Sequence, residues 1–212
     1  MRVAIFGASG ATGRLLTERC LAQGYEVSAL LRTPASFPFR DRVRVVRGDA
    51  FTPSAIAATL AGADVVLSAL GARSRGKEDV LERAVPLIVA AMEELGPRRI
   101  VVLGSAGALD SAMDKQPAWQ KWLVENVVYK TMLKWPVASQ RAQYAALSAS
   151  TLDWTMAMPP MLTNGAGRGR YRVDEAALPP GASRIARDDV ADFMMKQVTS
   201  EEWSRKAVYL SW

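Results

Sequence analysis

The chain of 212 residues contains no histidine. That absence excludes a Ser-His-Asp triad, a histidine-ligated metal and a histidine general base. Cysteine is nearly as scarce. Cys20 is the only one, so there is no internal disulfide and no thiolate cluster for zinc, and no metal site is expected. Cys20 lies in an apolar stretch at helical spacing, which suits packing better than reactivity. No apolar run reaches the roughly 18 residues needed to span a bilayer, and the opening MRVAIFGASG enters a glycine loop instead of a signal-peptide cleavage site. The expectation is a cytoplasmic protein with no membrane partner. Blocks of like charge are missing too. The 27 basic and 21 acidic side chains leave a net charge of +6, but the basic ones are spread along the chain with no aromatic-interleaved motif. No nucleic-acid partner is therefore expected, and the surplus reads as a solvated surface suited to small anions.

What is present alternates between strand and helix. An apolar run at 3–6 leads into glycines at 7–13, then into Leu15, Leu16, Arg19, Cys20 and Gln23 at helical spacing, with Gly24 as a helix stop. Strands are expected at 26–31 and 43–46, separated by a loop at 34–38. A helix follows at 53–60, a strand at 64–70, a long helix at 78–95 closed by Gly96-Pro97, and a strand at 99–105. Residues 111–150 read as an α-rich excursion holding Trp119, Trp122 and Trp135. A strand at 152–158 ends at Pro159-Pro160, and a glycine-rich loop follows. A short strand at 170–173, an amphipathic helix at 187–198 and a strand at 206–210 complete the pattern. Alternation of this kind implies a Rossmann-type α/β fold: a doubly wound parallel sheet with helices on both faces and a small C-terminal α/β elaboration. The chain reads as a single domain over 1–212.

The segment GASGATG places Gly7, Gly10 and Gly13 three apart, directly after a strand and directly before a helix. In a dinucleotide site the first glycine permits the tight turn and the second lets the pyrophosphate approach the backbone. The third allows close packing of helix on strand, and the helix N-terminus faces the phosphates. Gly7, Ser9, Gly10, Ala11, Thr12 and Gly13 are accordingly the candidate cofactor loop. NAD sites usually end the second strand in a carboxylate that binds the ribose hydroxyls. Here that place reads Leu31-Arg32-Thr33, and a guanidinium that can grip a 2′-phosphate argues for NADP(H). Arg14 is a weaker candidate for the same phosphate. Asp49 and Ala50, in RGDAF after the third strand, are placed to contact adenine, although a local helix cap near Thr52 competes for the polar role. Ala69, Leu70 and Gly71 end the fourth strand and would line the ribose side.

With AIFGASGATG, GYEVSALLR, VVRGDAF, LIVAAMEELG, RIVVLGSAG, MAMPPMLTNGAGRGRYRV and SRIARDDVADFM in this order, the chain resembles the atypical short-chain dehydrogenase/reductase family of NAD(P)H-binding, NmrA-like proteins. Within it, the chain is most similar to the biliverdin-IXβ reductase/flavin reductase group. The resemblance spans nearly the whole chain. It implies an NADPH-dependent reductase that passes hydride to a small planar acceptor such as flavin, a linear tetrapyrrole or a quinone, working as a monomer or homodimer. Ser105 matches the family serine beside the nicotinamide, where it can orient the acceptor or relay a proton; a strand-end hydrogen bond is the plainer role. Met158, Pro159 and Pro160 match the segment lining the nicotinamide side, while Met156 is expected in the core.

Two features depart from that pattern. The Tyr-x-x-x-Lys pair of classical short-chain dehydrogenases is absent, because Tyr129 is followed directly by Lys130 and position 133 is leucine; a helical packing face is the expected role for both. The missing histidine weakens a tetrapyrrole acceptor more than a flavin. The alternative function is a non-catalytic NADP-sensing regulator of NmrA type, and an isomerase or dehydratase is disfavoured for want of an acid-base pair. Trp119 and Trp122 share a helical face that can roof a planar acceptor, pack in the core or meet a second copy. Arg168, Arg170 and Arg172 alternate as on one side of a strand, either as a solvated edge or as a site for an acceptor's phosphate or propionate.

Overall fold

The computed structural model describes residues 1–71 and 77–212. Among them β1 (Arg2–Phe6), β2 (Glu26–Leu31), β3 (Arg44–Arg47), β4 (Val65–Ser68), β5 (Arg99–Leu103), β6 (Asp153–Met158), β8 (Arg172–Asp174) and β10 (Lys206–Ser211) form one sheet in the order β3-β2-β1-β4-β5-β6-β10-β8. All pairings are parallel except the edge pair β10 with β8. The strands β1, β4 and β6 are buried along almost their whole length, as continuous apolar runs covered on both faces require.

The helices α1 (Ala11–Ala22), α2 (Pro53–Leu60), α3 (Val80–Leu95), α4 (Ala118–Leu123), α5 (Lys134–Ala149) and α6 (Arg187–Lys196) supply those covers. One core packs Phe6, Ile56, Ile88, Met92 and Leu147 on the α2, α3 and α5 side. The other packs Ile5, Leu16, Cys20, Val190 and Phe193 on the α1 and α6 side. Burial pushes the Cys20 thiol up to about 12, so it is protonated and acts as packing volume. Met156 is likewise fully buried.

Several boundaries differ from the sequence reading. The strand expected to reach 105 ends at Leu103, because Gly104 sits against the Met156 side chain and the chain then turns through a short 3-10 segment at Ala106–Ala108. Two three-residue strands, β7 (Met161–Thr163) and β9 (Arg184–Ala186), pair in parallel with each other where only loop was expected. They are too short to carry an alternation pattern, and their pairing joins segments about twenty residues apart. The strand expected from 170 begins at Arg172, so Arg168 and Arg170 precede it. Between α4 and α5 the helix widens into a π-helical stretch, Val124–Met132.

The strand order reverses direction at β1, with β2 on one side and β4 on the other. A crevice therefore opens above the carboxyl ends of these strands, the usual ligand position in a doubly wound sheet. Its floor depends on glycine. Gly7 has φ +80, and a Cβ there would lie 2.6 Å from the Ala69 backbone; a Cβ on Gly13 would collide with the Gly7 carbonyl oxygen. Gly13→Ala is expected to cost about 1–3 kcal/mol by overpacking, read as a lower denaturation midpoint in urea, whereas Gly165→Ala, with open space around it and no left-handed backbone, should lose less.

Candidate functional site

The crevice forms a groove of about 300 Å³ whose lining includes Gly7 and Ser9 from the glycine loop, Arg32 after β2, Gly48, Asp49 and Ala50 after β3, and Leu70 and Gly71 after β4. Sequence-distant candidates are thus brought together by four strand ends, those of β1, β2, β3 and β4. Helix α1 starts here with Gly10 as its N-cap, no side-chain cap and no acidic residue in its first turn. Its first N–H groups and positive dipole end are left for an anion. The glycine cradle fits a pyrophosphate: Gly10 is exposed beside the α1 N-terminus with no side chain over it, and a Cβ there would make a tight 3.3 Å contact with the Gly7 carbonyl oxygen. Ala11 is exposed, and Thr12 and Gly13 are buried beneath the loop.

Arg32 is exposed at the groove's edge. Arg14 instead folds back, its Nε donating to the Ser9 carbonyl at 3.0 Å. Asp49 uses Oδ1 locally, accepting from the Phe51 N–H at 2.9 Å and the Thr52 hydroxyl at 2.8 Å. The Thr52 hydrogen bond, followed by that from Phe51, holds the carboxyl below its ordinary range. The local capping role and the groove-lining position therefore coexist in one side chain. Ala69 closes the β4 end, with its N–H donating to the Phe6 carbonyl at 2.9 Å.

Ser105 lies just beyond β5, half-buried, and its hydroxyl makes no hydrogen bond among the described residues. The strand-end hydrogen bond considered for it is absent. Ala106 donates its N–H to the Pro159 carbonyl at 2.9 Å, which joins the β5 end to Met158, Pro159 and Pro160 at the end of β6. Met158 is fully buried.

Beyond this junction opens a cavity of about 900 Å³, lined by the 109–114 turn and by the inner side of α4, the π-helical stretch and α5. Gly107 ties it to the strand end, since a Cβ there would be 3.3 Å from the Tyr129 ring. Tyr129 and Lys130, expected on a packing face, line the cavity. Burial, then the Glu125 carboxylate, raises the Tyr129 pKa against an opposing pull from Arg141, so the phenol is a proton-bearing donor at neutral pH. Ser111, Lys134 and Arg141 also line the cavity and were not anticipated from sequence. Ser111 shares a hydrogen bond of 3.1 Å with Tyr209. Burial pushes the Tyr209 phenol up to about 12.

The cavity's carboxylates are largely spoken for. Asp110 pairs with Arg141, and Lys121 pairs with Asp114 at 2.6 Å and with Glu125 at 3.9 Å. Lys130 donates to Asn126 at 2.8 Å, and the Lys134 ammonium lies 5.0 Å from the Trp135 ring. Neither lysine forms an ion pair among the described residues.

Trp119 and Trp122 share a face, as their spacing requires, but they point to solvent and do not roof the cavity. Arg168 stacks on the Trp212 ring at 3.8 Å, while Arg172 donates to the Pro180 carbonyl at 2.8 Å and to the Trp212 carbonyl. These arginines surround a separate hollow near Trp212. They do not alternate on a strand.

The comparisons with known proteins agree with this architecture. A crystal structure from Burkholderia pseudomallei superposes over the full length of both chains with TM-score 0.81 and 29% identity. ChuY, an anaerobillin reductase from Escherichia coli O157:H7, covers 100% of this chain and 97% of its own with TM-score 0.83 and 22% identity. A Veillonella parvula short-chain dehydrogenase/reductase in complex with NADP covers 100% and 94%, with TM-score 0.80 and 19% identity. Among curated proteins, an uncharacterized Mycobacterium tuberculosis protein is 36% identical over 106 residues, which is 50% of this chain and 12% of that protein. Bacillus subtilis YwnB, also uncharacterized, is 28% identical over 109 residues, 51% of this chain and 49% of its own. The chain thus spans half or less of the length of these curated relatives. The NAD(P)H-binding family matches residues 7–201, from the first glycine of the groove to beyond α6, and the chain, with its Rossmann fold, belongs to that NAD(P)H-binding family.

Proposed function

We propose that the chain, acting as one domain over 1–212, is an NADPH-dependent reductase that passes hydride to a planar acceptor such as flavin. The observation that carries this reading is a pair of spaces along the sheet's carboxyl edge. A glycine-floored groove lies at the ends of β1 to β4, and a cavity of about 900 Å³ lies beyond the 106–108 turn that follows β5, where Gly107 packs against Val137 and Tyr129. That volume falls in the range of small-molecule sites.

The roles follow from position. Backbone N–H groups at Ala11, Thr12 and Gly13 and the α1 dipole hold the pyrophosphate, with Gly7, Ser9 and Gly10 shaping the turn, which the Gly10 N–H closes by donating to the Gly7 carbonyl at 3.0 Å. Arg32 binds the 2′-phosphate, Asp49 and Ala50 flank the adenine, and Ala69, Leu70 and Gly71 line the ribose. Met158, Pro159 and Pro160 form the nicotinamide wall by backbone and shape. NADPH, when bound, supplies the hydride. Ser105, whose hydroxyl has no described protein partner, orients the acceptor at the junction, and the protonated Tyr129 packs beside Gly107, two residues further on. Positioning carries most of the catalysis, which is compatible with a chain that has no histidine. The cytoplasm, which keeps NADPH reduced, is the matching compartment.

The direct test follows loss of reduced-nicotinamide absorbance with NADPH and FMN, against NADH and no-acceptor controls. Protein-dependent consumption that prefers NADPH is expected. Tight NADPH binding without turnover on FMN or riboflavin would favour a sensor. Arg32→Ala should raise the NADPH KM about tenfold or more, the loss of one charge-assisted contact, and leave the NADH KM within about twofold; equal losses would remove the case for NADP. Ser105→Ala should lower kcat by about tenfold with NADPH affinity intact, and an unchanged kcat would return the residue to a structural role. Gly10→Val should abolish NADPH binding while the circular dichroism spectrum stays native, because the added side chain projects into the phosphate cradle and not into the core.

A further inference from the structure

A surface helix normally buries its apolar stripe and shows its polar side to water. The run from α4 through the π-helical stretch does the opposite. Lys121, Glu125 and Tyr129, spaced four apart, line the cavity, and Lys130 and Lys134 line it while staying exposed to solvent. Trp119 (69% exposed), Trp122 (62%), Leu123, Val127 and Met132 (58%) face solvent. Hydrogen bonding from i to i+5 widens the turn, so the spacing of four and then five from Leu123 to Val127 to Met132 stays on one side. Trp135 continues the patch at the start of α5. Among the described residues, six of the ten exposed large hydrophobic side chains fall within 119–135. A contiguous apolar patch of this kind marks a surface that something covers.

We propose that this face docks the protein on an anionic lipid surface, with the tryptophans at headgroup depth. Three features favour lipid. Tryptophan concentrates at bilayer interfaces because its ring is apolar and its N–H polar. Cations border the patch: Lys130 and Lys134 form no ion pair among the described residues, and Lys77 lies 5.4 Å from the Trp135 ring. The chain as a whole carries +6, complementary to acidic headgroups. A second copy fits less well, since a stable interface engages about 20–30 residues a side, far more than this stripe, whereas a helix lying in a lipid interface needs only one apolar face. No helix among the described residues is long and apolar enough to cross a membrane. Interfacial docking needs no such helix, which is why the search for a spanning run led to the expectation of no membrane partner.

The test is co-sedimentation of the full chain with vesicles of phosphatidylcholine and phosphatidylglycerol, against phosphatidylcholine alone. Binding to the acidic vesicles is expected, weakened at least tenfold by 0.5 M NaCl and by the pair Trp119→Ala and Trp122→Ala. The substituted protein should keep its NADPH affinity and its circular dichroism spectrum. Met132→Gln gives a second reading of the same face should the tryptophan pair fail to fold. Failure to sediment with acidic vesicles, equal sedimentation with both vesicle types, or binding indifferent to these substitutions would overturn the proposal. So would a concentration-dependent dimer that the tryptophan substitutions dissolve, which would assign the face to a second copy. None of these readouts depends on turnover, so the reductase reading can fail while this one stands.

Discussion

The cofactor groove depends on the approach of α1 to the end of β1, which leaves no room for a side chain at Gly13. Gly13 sits against the Gly7 carbonyl oxygen, and Gly7 sits against the Ala69 backbone. Three chain segments therefore meet with no side chain between them. Because α1 is pulled down onto β1, its N-terminus opens directly above the place where the strand order reverses. Every other groove residue is arranged around that point: Arg32 and Asp49 outward along β2 and β3, Leu70 and Gly71 inward along β4. The anion-binding character of the site comes from backbone N–H groups and a dipole, so it needs no titrating side chain.

The second cavity is built from helix irregularity. A regular α-helix through 118–149 would distribute inward-facing residues at 3.6 spacing, and the π-helical stretch alters that count. Tyr129, Lys130 and Lys134 thereby reach the cavity together with Arg141, while the apolar side chains turn outward. Such widened turns recur at functional sites. Here one irregularity creates both a polar inner wall and an apolar outer face.

Strands β1 and β2, helices α1, α2 and α6, and the glycine loop were legible because their signals are local. Apolar runs, glycine stops and Pro at a helix start each act within a few residues, and the observed α2 and β2 coincide with the expected spans. The missed strands β7 and β9 have no local signal, since each exists only by pairing with the other. Arg168 and Arg170 alternate in the sequence as strand residues do, but Arg168 is held by Trp212, a partner more than forty residues away.

The sequence by itself determined the Rossmann architecture, the glycine cradle, the guanidinium in place of a carboxylate after β2, and the exclusion of histidine and thiolate chemistry. These depend on residue identity and short spacing, which act before the chain has folded. Only the tertiary structure decided that Tyr129, Lys130, Ser111 and Arg141 share a cavity, that Ser105 has no local partner, and that Trp119 and Trp122 face water. Each of those facts depends on the turn of the helix between α4 and α5 and on what lies across a gap from it, and side-chain spacing in one segment cannot encode a surface contributed by another.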